Sequence, residues 1–179
     1  MRFALAAIGR DRPGIVAAMT RNLVDHGLNV EDSQMTILGG HFTMMLVVAG
    51  PDELDAGALR SDLEGTAQEL ALEAFSLTEV ADLDAGEPAE PSHIVTVYGA
   101  DHPGIVHAVA AALAERGVNI TDLNTRLVGG EGEADLYAML LEVALPRGLG
   151  ADELREALEA VRSDQGVEVT VRELEQDAL

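Results

Sequence analysis

The chain has 179 residues, is 47% hydrophobic and 3% aromatic, contains neither Trp nor Cys, and carries a net charge of −21. Its 11 cationic residues are all Arg. With a pI near 4.3, its surface repels phosphate backbones and anionic lipids, so the sequence argues against direct nucleic-acid contact and membrane-surface binding. Absence of Cys excludes disulfides, thiolate metal sites and a Cys nucleophile, and no apolar run approaches the roughly 18 residues of a membrane span.

Phe3–Gly9 is an apolar run of strand length ended by Gly. The opening "MRFALAAIG" is too short in its apolar core for a signal peptide. The run "HIVTVYG" plays the same part deep inside the chain, so both read as strands and the protein is expected in the cytoplasm. Pro13 suits the first turn of a helix. Ile15, Val16, Met19 and Leu23 recur at helical spacing and predict one buried stripe, and Gly27 stops the helix at a C′ position. Leu28–Leu38 reads as a second strand, Gly39-Gly40 as a hairpin turn and His41–Ala49 as a third strand. Helical spacing returns at Leu54, Leu59, Leu63, Ala67 and Leu70, predicting a helix over Asp52–Leu70, and Leu72–Leu83 reads as a fourth strand.

"DAGEPAEPS", Asp84–Ser92, has two Pro, one Gly, three acids and no large apolar residue, the composition of a linker. Beyond it the pattern begins again. Strand His93–Tyr98 leads to a helix over Pro103–Arg116, striped by Ile105, Val106, Val109 and Leu113. Strands Val118–Val128 and Ala134–Leu145, helix Asp152–Arg162 and strand Val167–Leu174 complete it. Residues 9–40 align with residues 99–130 without a gap. The matches include Gly9/Gly99, Asp11/Asp101, Pro13/Pro103, Gly14/Gly104, Ile15/Ile105, Asn29/Asn119, Asp32/Asp122 and the glycine pairs 39–40 and 129–130. The chain is therefore a tandem duplication. The expected organisation is a first domain over 1–83, a linker over 84–92, a second domain over 93–175 and a tail over 176–179. The order βαββαβ, twice, predicts an α+β protein of two ferredoxin-like domains, each a four-stranded antiparallel sheet with two helices on one face.

The doubled phrase, "GRDRPGIV" and "GADHPGIV", is where chemistry is expected. A helix following Asp-x-Pro-Gly begins with N–H groups that lack intrahelical partners and carry partial positive charge, which suits a carboxylate. Gly14 and Gly104, lacking Cβ, permit close approach of a backbone or small ligand. An Asn side chain donates and accepts, so Asn29 and Asn119 can read both poles of a free amino acid. The bland alternative is a tight turn with a good helix start, and a site that has lost its ligand is a second.

"DRPGIV…GLNVEDSQMTILGG" and "DHPGIV…GVNITDLNTRLVGG" resemble ACT domains, small regulatory modules that sense amino acids. More narrowly, "GRDRPGIV" with "NVEDSQMTILGGHFTMMLVVAG" is similar to the glycine cleavage system transcriptional repressor family, whose members are two ACT domains and little else. The resemblance implies ligand sites between paired ACT domains, built from the strand-to-helix loop of one and the Asn-bearing strand of the other. The ligand-binding candidates it carries over are Asp11, Arg12, Pro13, Gly14, Ile15 and Asn29, with Asp101, His102, Pro103, Gly104, Ile105 and Asn119. Arg12 in one copy is His102 in the other, so the two sites are expected to differ in selectivity or pH response.

The implied function is non-catalytic: binding of a small amino acid, glycine or serine first, and signalling through a protein partner in control of glycine cleavage gene expression. A homodimer is compatible with this, and neither a cofactor nor a metal is called for. The rival readings are a ligand-free ACT adaptor and an orphan regulatory subunit of an amino-acid metabolic enzyme. No nucleophile-elbow or P-loop motif is present. The five His read as surface or edge residues, and His102 and His107 lack a third metal ligand. Met19, Met35, Met44, Met45 and Met139 read as core. Asp32 and Asp122 read as strand-edge hydrogen-bonding or interface residues.

Overall fold

The computed structural model describes residues 1–80, 89–128 and 136–174. Two compact units divide the chain, Met1–Asp84 and Ala85–Leu179. The first runs β1 (Arg2–Arg10), α1 (Ile15–Asp25), β2 (Asn29–Leu38), β3 (His41–Ala49), α2 (Ala56–Glu69) and β4 (Ala74–Glu79). The second runs β5 (His93–Ala100), α3 (Ile105–Ala114), β6 (Asn119–Val128), β7 (Leu136–Ala144), α4 (Ala151–Gln165) and β8 (Glu168–Glu173). Each is a βαββαβ unit with one antiparallel four-stranded sheet, ordered β2-β3-β1-β4 and β6-β7-β5-β8. Glycines 129–130 and the tail, together with most of the predicted linker, lie outside the described residues.

Alternation builds both cores. On β1, Phe3, Leu5 and Ala7 are buried while the residues between them are not; on β3, Phe42, Met44, Leu46 and Val48 are buried. Successive strand side chains point to opposite faces, so one sheet face is apolar and the helices cover it with Ile15, Met19 and Leu23 of α1 and Leu59 and Leu63 of α2. In the second unit Val95, Val97, Met139 and Leu141 meet Ile105, Val109, Leu113, Leu154 and Leu158 in the same way. A fully buried aliphatic side chain of this kind contributes about 1.5–3 kcal/mol.

Several expectations are corrected. Val16 and Val106 are 41% and 40% exposed; each sits one residue past the first stripe position, on the shoulder of its helix. Met35 and Met45 are about half exposed, whereas Met19, Met44 and Met139 are core. Met35 lies on the edge strand beyond the helices, and Met45 pairs with Ala6 on the sheet face they leave open. His93 is buried rather than superficial, with Nδ1 2.9 Å from Ser92 Oγ.

The repeated Gly9 and Gly99 are small for a steric reason. A Cβ on Gly9 would lie 2.9 Å from Leu72 Cδ2, and one on Gly99 2.7 Å from Val167 Cγ1, so β1 and β5 end against the chain that enters β4 and β8. The repeated Asp32 and Asp122 each follow a β-bulge, between Val30 and Asp32 and between Ile120 and Asp122. Asp32 Oδ1 accepts from the Ser33 N–H at 2.7 Å and Asp122 Oδ2 from Asn124 Nδ2 at 2.6 Å.

Candidate functional site

Each repeated phrase forms the turn between the first strand and first helix of its unit. In the first unit the Asp11 N–H donates to the carbonyl of Gly40 at 3.0 Å, tying the turn to the β2–β3 hairpin. Gly14 is the N-cap of α1 with φ 99°, and Gly104 is the N-cap of α3 with φ 108°. That left-handed conformation is what requires glycine, since it is disfavoured for residues with a Cβ. A Cβ on Gly14 would meet nothing within 4 Å.

The two helix starts share an electrostatic feature. Neither α1 nor α3 has a side-chain cap or an acidic residue in its first turn. The other two helices are provided for: Asp55 accepts from the N–H groups of Gly57 and Ala58 at the start of α2, and α4 carries Asp152 and Glu153 in its first turn. In a chain with 32 acidic residues, none falls in the first turn of α1 or α3; Asp11 and Asp101 precede the N-caps by three residues. Those N–H groups and the helix dipole make two anion-accepting ends.

The candidate residues divide by placement. Asp11, Arg12, Pro13 and Gly14 are exposed together on the first turn, and Asp101, Pro103 and Gly104 on the second, beside a half-buried His102. Ile15 and Ile105 are core side chains, so each can offer a ligand only its main chain. Asn29 and Asn119 are not brought to their own turns. Asn29 opens β2 opposite Ala49, which also pairs with Arg2, whereas the turn leaves β1 at Arg10 opposite His41. Asn119 opposes Ala144, while the second turn leaves β5 at Ala100 opposite Leu136. At about 3.3 Å per strand residue this separates each Asn from its own turn by roughly 23–26 Å. No single unit can clamp a free amino acid with both.

Beside the second turn is an open cavity of about 590 Å³, lined by Asp101, His102, Pro103, Gly104, Ile105, Val106, His107, Ala110 and Tyr137. His107 and Tyr137 line this cavity beside the turn and were not among the ligand-binding candidates of the sequence. Tyr137 occupies on β7, opposite Gly99, the place that Phe42 occupies on β3, opposite Gly9. Its hydroxyl pKa is pushed up by burial and by the Asp101 carboxylate, against a hydrogen bond to Thr125. The imidazole pKa of His102 is raised by the carbonyls of Gln165 and Pro103, with partial burial opposing and Asp101 assisting. Among the described residues no cluster of His, Asp and Glu could hold a metal ion, and no helix is long and apolar enough to cross a membrane.

The two βαββαβ units with their Asp-x-Pro-Gly turns define an ACT-type protein, and comparison with known proteins agrees. ACT-domain models match residues 2–76 and 93–163; the chain belongs to the ACT-domain family. A protein of unknown function from Galdieria sulphuraria, solved by crystallography, is 31% identical, covers 97% of this chain and 98% of its own, and superposes with a TM-score of 0.81. The glycine cleavage system transcriptional repressor of Escherichia coli is 31% identical over 130 residues, 72% of this chain and 66% of the repressor. A UPF0237 protein of Streptococcus mutans is 36% identical over 70 residues, 39% of this chain and 80% of that protein.

Proposed function

We propose that this regulatory ACT protein binds a small amino acid, glycine or serine, at its two Asp-x-Pro-Gly turns and passes the bound state to a protein partner. The observation that carries the reading is the pair of acid-free, uncapped helix starts in a chain of net charge −21. A carboxylate docked there gains main-chain hydrogen bonds and a favourable dipole. The ammonium pole needs acceptors, which Asp11 or Asp101 and an Asn side chain supply.

The Asn must then come from another ACT edge. β2 and β6 are outer strands with open main-chain edges. Antiparallel pairing of two such edges lays the start of one strand, where the Asn sits, beside the end of the other, where the turn sits. Such pairing also covers Met35, Ile37 and Leu127, which are 49%, 50% and 60% exposed. Ligand and pairing are thereby coupled: a ligand that touches both edges favours the paired state by its differential affinity.

The likeness to the E. coli repressor supports a place in control of glycine cleavage genes, exerted through a protein rather than by direct DNA contact, given the charge. The second reading is a ligand-free adaptor that uses the same edges only to assemble, and the apolar outer strands favour it equally. Calorimetric titration with glycine and with serine separates the two. Saturable binding supports the sensor; no heat with either, from a protein that still assembles, supports the adaptor.

A further inference from the structure

The second residue of each repeated turn makes the same connection with a different side chain. Arg12 donates from Nη2 to the carbonyl of Glu69, the last residue of α2, at 3.3 Å. His102 holds Nε2 2.9 Å from the carbonyl of Gln165, the last residue of α4. In both units the side chain ties the turn that opens the first helix to the end that closes the second. A helix C-terminus presents carbonyls without intrahelical partners and partial negative charge, so the fitting brace is a cation. Arg12 is always charged; His102 is charged only when protonated.

The contacts of the ring decide which form fits. Nδ1 lies 3.2 Å from the carbonyl of Pro103 while Nε2 faces that of Gln165. Carbonyl oxygens only accept, and neutral imidazole has a single N–H. Both contacts are hydrogen bonds only in the imidazolium; on deprotonation one becomes lone pair against lone pair. Asp101 of the same turn favours the cation. His107 of α3 and Tyr137 of β7 line the adjoining cavity: a protonated His107 opposes a second charge, and Tyr137, its pKa raised, stays neutral.

We propose that His102 is a positioning residue that latches the second turn only as the imidazolium, so this turn loosens as pH rises while the first, braced by Arg12, does not. The proposal needs no ligand and stands or falls separately from the amino-acid reading. The sign follows from linkage. The folded ring holds its proton more tightly than the unfolded one. The latch is therefore complete below about pH 6.5, the ordinary imidazole value, and is lost as pH rises through the higher folded value.

The test uses the full chain and its His102→Arg, His102→Ala and Arg12→Ala variants in thermal unfolding from pH 5.5 to 8.5, with an NMR titration of the His102 ring. Comparing variants at each pH cancels the other titrating groups. The ring should titrate above the ordinary histidine value. The melting temperature of wild type should fall below that of His102→Arg by about 1–3 °C more at pH 8.5 than at pH 6 and converge on that of His102→Ala. Arg12→Ala should lose the same amount at both ends of the range. A ring titrating at or below the ordinary value, or a gap between wild type and His102→Arg that is flat with pH, overturns the latch.

Discussion

Gly14 and Gly104 show how a repeated residue can be kept for its backbone alone. With φ of 99° and 108° they turn the chain into a helix whose first N–H groups lack intrahelical partners. Replacing Gly14 with Ala adds no clash, because nothing lies within 4 Å of the new methyl. The cost is conformational, about 1–2 kcal/mol, and chemical denaturation of Gly14→Ala should show a loss of that size. Asn29 and Asn119 act differently: both are exposed, and neither has a partner in its own turn. Their removal should leave stability within about 0.5 kcal/mol yet weaken amino-acid binding. A hydrogen bond to a charged pole is worth about 1.5–3 kcal/mol, so Asn29→Ala with Asn119→Ala should raise Kd roughly 10- to 100-fold by calorimetry. Unchanged affinity in the double variant would remove the Asn from the site.

At the scale of elements, the order βαββαβ was legible because each period was clean. Leu59, Leu63 and Ala67 mark α2, and the alternation of Phe42, Met44, Leu46 and Val48 marks β3. Boundaries were less legible. The predicted helix from Asp52 starts at Ala56, because Asp55 caps it, and several strands are shorter than their apolar runs. The site was half legible. The turns announced themselves by repetition, but that each Asn lies at the far end of its sheet follows from register, which periodicity does not contain. Tyr137 was hidden because the equivalent residue of the first unit is Phe42, a core residue type. Met35 read as core because an apolar residue on an outer strand looks like one on an inner strand. That exposed row predicts the behaviour of β2 and β6. An edge strand with exposed apolar residues is a template for pairing, and β2 leaves Val30, Met35 and Ile37 uncovered. Ile37→Lys with Leu127→Lys should leave unfolding of each unit almost unchanged while lowering the assembled mass in light scattering and weakening the ligand response. Unchanged mass and unchanged response would show that these edges do not pair.

For the whole molecule, charge and duplication are the governing facts. With −21 net charge and every Lys-or-Arg position an Arg, the chain is electrostatically repelled by phosphate backbones. Against that background the first turns of α1 and α3 carry no acid, and these two helix starts are the anion sites proposed above. Duplication supplies both from one chain and lets them diverge, Arg12 against His102 and Phe42 against Tyr137. Thermal unfolding against a panel of free amino acids, glycine and serine included, tests the two turns most directly. A ligand present at about 100 times its Kd adds roughly 2.7 kcal/mol, a rise on the order of 5–10 °C for units of this size. Such a rise is expected with one or two small amino acids, and its loss when Asn29 and Asn119 are both replaced by Ala. No rise with any member of the panel would contradict the claim that the repeated turns are amino-acid sites.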